Sequence, residues 1–230
     1  VSILVRGSNR SPLTVRATHG RGIGSPRNDS DPDFEFFDEF DEELDEWTAS
    51  DVTYSSGLVH PNSPSNQGLL LLDNFAYGDA GSISGSNDNW SMYADIINGG
   101  SGPVYTQYAA IGLKKTYPST SIIELIVAVY GTPGNYYWAQ ELKYWSSYIT
   151  VTDNNTLLYN TSPGTGHWPS GRLTMSRSGN RITASFDGGT SMWVDISAIS
   201  SGYAYARVYD FTYYDDALDA FYLVSPVPTP

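Results

Sequence analysis

Three acids alternate along one stretch of the chain: Glu39, Asp41 and Glu43. On an extended strand, residues two apart share a face. Carboxyls so placed suggest glycoside hydrolysis, where a retaining enzyme needs its reacting pair about 5–5.5 Å apart. Strand geometry puts the outer two about 13 Å apart at Cα, so their side chains have to lean inward. The triplet lies inside DFEFFDEFDEELDEW, residues 33–47, where nine acids are interleaved with six Phe, Leu or Trp. In so acidic a run the spacing also arises by chance. The competing reading is structural: Phe34, Phe36, Phe37, Phe40, Leu44 and Trp47 anchor the start of a sandwich while the acids stay wet. On that reading no residue is catalytic.

Other reactive patterns are sparse. The three histidines, His19, His60 and His167, have no zinc-site spacing, and the chain has no Cys, which excludes disulfides and cysteine-held metals. There is no G-x-S-x-G and no P-loop. Asp and Asn gather between residues 73 and 90, and oxygen-rich loops suit Ca²⁺. Asp73, Asp79 and Asp88 are the candidate metal ligands; a polar loop needing no ion is the alternative. No other cofactor is expected. Aromatics gather in YYWAQELKYWSSY and YAYARVYDFTYY. Tyr203, Tyr205 and Tyr209 share one strand face with Arg207, while Ala204, Ala206 and Val208 take the other. With Trp138 and Trp145, these tyrosines are candidates to stack on sugar rings or to pack on a neighbouring subunit. A plain core face is the third possibility, and Tyr fits any of them.

Those residues need a scaffold. A chain of 230 residues is long enough for one large β-domain. Its formal charge of −13 and pI of about 4.3 repel phosphate backbones and anionic lipid, so no nucleic-acid partner is expected. No apolar run approaches the ~20 residues that cross a bilayer. No signal peptide is visible, and the start at Val1 reads as a processed or engineered terminus. Five Asn-x-Ser/Thr sequons, at Asn9, Asn28, Asn89, Asn154 and Asn160, favour an extracellular glycoprotein on a cell or virion surface.

Charge is segregated along the chain. Residues 1–28 hold five Arg and no acid; residues 29–46 hold eleven acids and no base. The pattern suggests that Arg6, Arg10 and Arg16 pair with Glu39, Asp41 and Glu43, in the same subunit or the next. Within this basic arm, Val1, Ile3 and Val5 alternate with polar residues, as do Leu13 and Val15, which predicts two short strands. A Gly- and Pro-rich link follows. Beyond Trp47, short apolar runs recur with turn signals between them: GLLLLD, YTQYAAIGLKK, SIIELIVAVY, and a hairpin RLTMSRSGNRITASFDGG turning at SGN. A further turn is expected at Asn154-Asn155. The spacing predicts an all-β sandwich, divided into an arm with linker (residues 1–30) and a sandwich (31–230).

The stretch FEFFDEFDEELDEWTASDVTYSSGLV resembles the opening of concanavalin A-like (laminin-G-like) jelly-roll domains. RSGNRITASFDGG resembles their late hairpin and RVYDFTYYD their closing strand. The segment up to Phe40 is similar to the tail of a small β-domain of unknown function that precedes such jelly rolls on prokaryotic surface proteins. The resemblance implies a concanavalin A-like jelly-roll β-sandwich with a short N-terminal strand arm. The E-x-D-x-E spacing resembles the catalytic strand of β-glucanases of that fold, but there the motif lies mid-chain in an aromatic-ringed cleft, and here it lies near the first strand.

The expectation is therefore a non-enzymatic extracellular subunit that self-assembles into a surface filament or similar homopolymer, donating its N-terminal strand to a neighbour. A carbohydrate-binding or adhesive module, with glycans as partners, is the alternative reading, and a β-glucanase-like glycosidase the third.

Overall fold

The period-two patterns reappear as alternating burial. In the strand Asn89–Ile97, Trp90, Met92, Ala94 and Ile96 are buried, and Ser91, Tyr93 and Asp95 take the other face. The computed structural model describes residues 3–5, 13–17, 34–41, 47–62, 68–72, 82–83, 89–98, 107–114, 121–132, 135–145, 149–158, 170–187, 189–196, 202–210 and 216–225. Among the described residues there is no helix, and so none long and apolar enough to cross a membrane.

Two antiparallel sheets face each other. In sheet 1 the order is β1 (Ile3–Val5), β2 (Leu13–Ala17), β3 (Phe34–Asp38), β18 (Ala217–Ser225), β9 (Asn89–Ile97), β14 (Gly171–Ser178), β15 (Arg181–Phe186) and β16 (Met192–Asp195). The hairpin β5 (Val52–Ser55) and β6 (Leu58–Pro61) joins it through β18. Sheet 2 runs β13 (Ile149–Leu158), β12 (Asn135–Tyr144), β11 (Ser121–Thr132), β10 (Gln107–Lys114), β17 (Gly202–Asp210), β7 (Gly68–Leu72) and β4 (Trp47–Ser50), with β8 (Ser82–Ile83) also on β17.

The core lies between the sheets. Phe36, Met92, Leu173 and Phe221 of sheet 1 share one buried cluster with Ile111, Leu125, Ala206 and Val208 of sheet 2. Gln140 ties the layers together: its Nε2 donates to Thr190 O at 2.9 Å, and its Oε1 accepts from Phe186 N at 2.8 Å. A buried amide is tolerated because both its ends are satisfied.

Three expectations change. Glu39 and Asp41 do not share a strand face: β3 ends at Asp38, and Phe40 has φ 55. Phe40 drops into the core while Glu39 and Asp41 stay exposed; Glu43 lies outside the described residues. The anticipated turn at Asn154-Asn155 is a bulge inside β13, because three steps from Thr156 to Asp153 oppose two from Trp138 to Gln140. Finally, the arm joins its own sandwich. β1 and β2 form a hairpin, Ile3 opposite Val15 and Val5 opposite Leu13, and β2 pairs with β3 with Arg16 opposite Glu35. A strand already paired within its own chain gives no support to donation or to a homopolymer. Val1, Arg6 and Arg10 lie outside the described residues.

Candidate functional site

The outer face of sheet 1 carries a row of rings set by register. Phe37 of β3 lies opposite Tyr222 of β18, which lies opposite Tyr93 of β9. Tyr93 and Tyr222 stack with centroids 5.2 Å apart, and Phe37 meets Tyr222 edge-on at 6.4 Å. One row along, Asp95 lies opposite Arg172 of β14. Arg172 grips Asp95 with both prongs of its fork, Nε to Oδ1 and Nη2 to Oδ2, each at 2.7 Å. The guanidinium also sits 3.8 Å from the centroid of Tyr93, combining a bidentate pair with a cation–π contact.

A cavity of about 970 Å³ opens against this face. It is lined by Phe37, Tyr93, Asp95 and Arg172 of the sheet and by Glu39, Asp41 and the Ser56-Gly57 turn. That turn joins β5 to β6 in two residues, both with positive φ (58 and 76), the geometry that twisted hairpins favour. At Gly57 a Cβ would stand 3.2 Å from Asp41 Oδ1, so glycine lets the turn and the carboxylate approach. A bulge in β18 between Leu218 and Ala220 turns Asp219 into the same cavity.

The electrostatics follow from this crowding. Burial raises the Tyr93 hydroxyl's pKa; Arg172 opposes the shift, and Asp95 and Glu39 add to it. Asp219 is raised by burial first and by the Asp95 carboxylate second. The native state therefore holds the Asp219 proton more tightly than the unfolded chain, whose ordinary value is 3.8. The stability this confers is complete below that value and is lost as pH rises through the folded pKa. Asp219→Asn is therefore expected to melt higher than the parent at pH 7, with the gain vanishing below the ordinary carboxylate range. Thermal melts of both proteins across pH check this; a gain that persists at pH 3 contradicts it.

Chemically, the cavity offers carboxylates as acceptors, a guanidinium and hydroxyls as donors, and aromatic rings. Those are the groups that recognise polyhydroxy compounds. A carboxyl held towards its neutral form beside an ionisable partner is also how a general acid is prepared.

The outer face of sheet 2 is built differently. Glu124 on β11 and Tyr205 on β17 are 1% and 0% exposed. Tyr205 donates its hydroxyl to Glu124, and Arg207 Nη2 lies 2.7 Å from the same carboxylate. The Tyr205 ring covers Gly112, where a Cβ would come within 3.0 Å of it and 2.2 Å of Ile123 O. Arg207 stacks over Tyr108 at 4.7 Å, Tyr108 stacks on Tyr209, and Lys114 lies 5.1 Å from the Tyr205 centroid. Burial pushes the Tyr108 hydroxyl up to about 12 and lowers Lys114, which Arg207 lowers further. These groups are spent on one another.

The residues anticipated from sequence are thus dispersed. Of the proposed aromatic contacts, Tyr205 is sealed in the Glu124 cluster and Trp138 packs in the core, edge-on to Phe186. Trp145 is 38% exposed, and Tyr203 and Tyr209 are half-buried on sheet 2. Asp73, Asp79 and Asp88 lie outside the described residues, as do Asn9, Asn28 and Asn160; among the described residues no group of three His, Asp or Glu is placed to hold a metal. Asn89 is exposed at the start of β9, and Asn154 lies within β13. The sequence reading brings only Glu39 and Asp41 to the cavity. It missed Tyr93, Asp95, Arg172 and Asp219, although the alternation of NWSMYADII already placed Tyr93 and Asp95 on one face.

No family model matches the chain, and no curated protein matches it. Among solved structures it is similar to the CBM2 module of an evolved Dit from Lactobacillus casei BL23 phage J-1, at 10% identity over 85% of this chain and 96% of that one, with a TM-score of 0.50. It is also similar to a Bacillus licheniformis β-glucanase, at 10% identity over 83% and 96%, TM-score 0.49. A third likeness is to a GlcNAcα1-4Gal releasing endo-β-galactosidase from Clostridium perfringens, at 13% identity over 84% and 62%, TM-score 0.49. At such identities the likeness establishes the fold: an all-β jelly-roll sandwich, consistent with the concanavalin A-like type. One expectation is corrected. The chain was expected to have no enzymatic role, in part because its acids lacked a cleft. Glu39 and Asp41 do line a cleft, so that exclusion is withdrawn.

Proposed function

We propose that this jelly roll recognises carbohydrate in the cavity on the outer face of sheet 1, and that it acts outside the cell or at a cell or virion surface. The observation that carries this reading is the cavity's lining: Phe37 and Tyr93 rings beside Glu39, Asp41, Asp95 and Asp219, with Arg172 fixed across Asp95. Arg172 is the one cation among the described lining residues, so anionic sugars are repelled and neutral ones are favoured. The carbohydrate-binding module among the structural neighbours accords with this reading.

Calorimetric titration with neutral gluco-, xylo- and galacto-oligosaccharides of two to six units tests it. At least one series is expected to bind, and Arg172→Ala is expected to weaken that binding roughly tenfold or more, because hydrogen bonds to a charged group contribute about 1.5–3 kcal/mol. The Arg172 side chain is half exposed, so the variant should keep its fold. Binding by the parent that Arg172→Ala leaves unchanged would place the sugar elsewhere.

Hydrolysis of the bound glycan is a second reading, favoured by the raised pKa of Asp219 beside Asp95. New reducing ends formed by the parent and not by Asp219→Asn would establish it.

A further inference from the structure

Sheet 1 carries a second feature on the side of β14 away from the cavity. Trp193, on the edge strand β16, is 52% exposed, the most exposed large apolar side chain among the described residues. Its ring is not loose. Arg181 of β15 lies over it, with the guanidinium 4.2 Å from the ring centroid. Asp195 fixes that guanidinium with two bonds, Nε to Oδ1 at 2.8 Å and Nη2 to Oδ2 at 3.0 Å. The result is a braced indole at the sheet edge, flanked by a neutralised fork of donors and acceptors. An exposed tryptophan held in one orientation has lost side-chain freedom before any ligand arrives, so binding costs it little further entropy.

The cavity and this platform share one face, and the register supplies what lies between. Ser91 is opposite Ser176, Ser176 is opposite Thr183, and Thr183 is opposite Trp193. Ser91 and Tyr93 take the same face of β9. A row of three hydroxyl residues therefore leads across the sheet from beside Tyr93 to Trp193. From β9 to β16 is three strand spacings, about 14–15 Å. That exceeds a single sugar ring and suits a run of several.

We propose that Trp193, with Arg181 and Asp195, is a second sugar subsite, so that the ligand of this face is an extended neutral polysaccharide chain rather than a mono- or disaccharide. The chain enters the cavity at Tyr93, crosses the hydroxyl row and stacks a distal ring on the indole. Stacking on an aromatic face and hydrogen bonding at its rim are the two interactions a pyranose ring offers. This assignment rests on the cavity being the primary sugar site.

The test is titration of the oligosaccharide series that binds, comparing its dimer and hexamer on the parent, Trp193→Ala, Trp193→Phe and Arg172→Ala. The parent is expected to bind the hexamer more tightly than the dimer. Trp193→Ala is expected to lose about tenfold on the hexamer, a common cost of truncating an aromatic anchor, and nothing on the dimer. Trp193→Phe should recover part of the loss, and Arg172→Ala should weaken both ligands. A hexamer affinity unchanged in Trp193→Ala, or no gain with length in the parent, overturns the subsite and leaves the cavity reading standing. A parent that binds no member of any series overturns both.

Discussion

Glu124→Ala is expected to destabilise the protein by about 3–5 kcal/mol, the usual cost of removing one partner from a buried ion pair. Nearly all of the Glu124 side chain is out of solvent, and it answers two groups at once: the Tyr205 hydroxyl and the Arg207 guanidinium. Burial works against the Arg207 charge, and Glu124 offsets this so that its pKa is raised overall. Without the carboxylate, a largely buried cation loses its Glu124 partner while Lys114 stays close, and the buried Tyr205 hydroxyl loses that acceptor. Chemical denaturation should show a lower midpoint with an unchanged slope. Replacing Glu124 and Arg207 together by leucine should cost less than the single change, since the buried guanidinium is removed together with its partner. A single-mutant loss below about 1 kcal/mol would mean that the cluster is hydrated and open. The prediction bears on function, because it separates a sealed charge cluster on sheet 2 from an open cavity on sheet 1.

Asp38→Ala is expected to cost about 2–4 kcal/mol, from two buried donors left unsatisfied. Asp38 is buried within the acidic run, where it accepts from Phe40 N at 2.7 Å and from Trp47 Nε1 at 2.6 Å. The first bond holds Phe40 in its left-handed conformation, which a residue with a large side chain rarely adopts unaided. The second ties β3 in sheet 1 to the first residue of β4 in sheet 2. Around that bond Trp47 meets Phe36 edge-on at 5.4 Å and Phe221 at 5.2 Å, so displacing it disturbs the aromatic centre of the core. Asp38→Asn keeps one acceptor oxygen and should lose less than Asp38→Ala. Equal stability of Asp38→Ala and the parent in urea would contradict this role. The loop released by the mutation also carries Glu39 and Asp41, so glycan affinity should fall with it.

Much of the scaffold was legible in the chain because strand pattern is a local signal. The alternations in NWSMYADII, AYARVYD and RLTMSRSGNRITASF state which side chains go inward, and the structure buries those residues. The SGN turn was legible for the same reason: Gly179 supplies the positive φ of a two-residue hairpin loop. The break after Asp38 was not, because nothing in so acidic a run marks which carboxylate turns back: Asp38 accepts from Phe40 N two residues on and from Trp47 Nε1 nine residues away, and the second bond is not a local signal. Asn154-Asn155 carried a true signal of irregularity, but the same residues serve a turn or a bulge, and the register against β12 decides between them. The site was the least legible part. Tyr93, Arg172 and Asp219 come from three strands far apart in sequence, and only sheet order makes them neighbours.

A crystal structure of the protein with a bound neutral oligosaccharide tests the central claim most directly. Sugar density in the cavity, within hydrogen-bonding distance of Arg172 and Glu39 or Asp41 and against Phe37 or Tyr93, is the result this account predicts. Density on the outer face of sheet 2, against Tyr108 and Lys114, with the sheet 1 cavity empty, would contradict it.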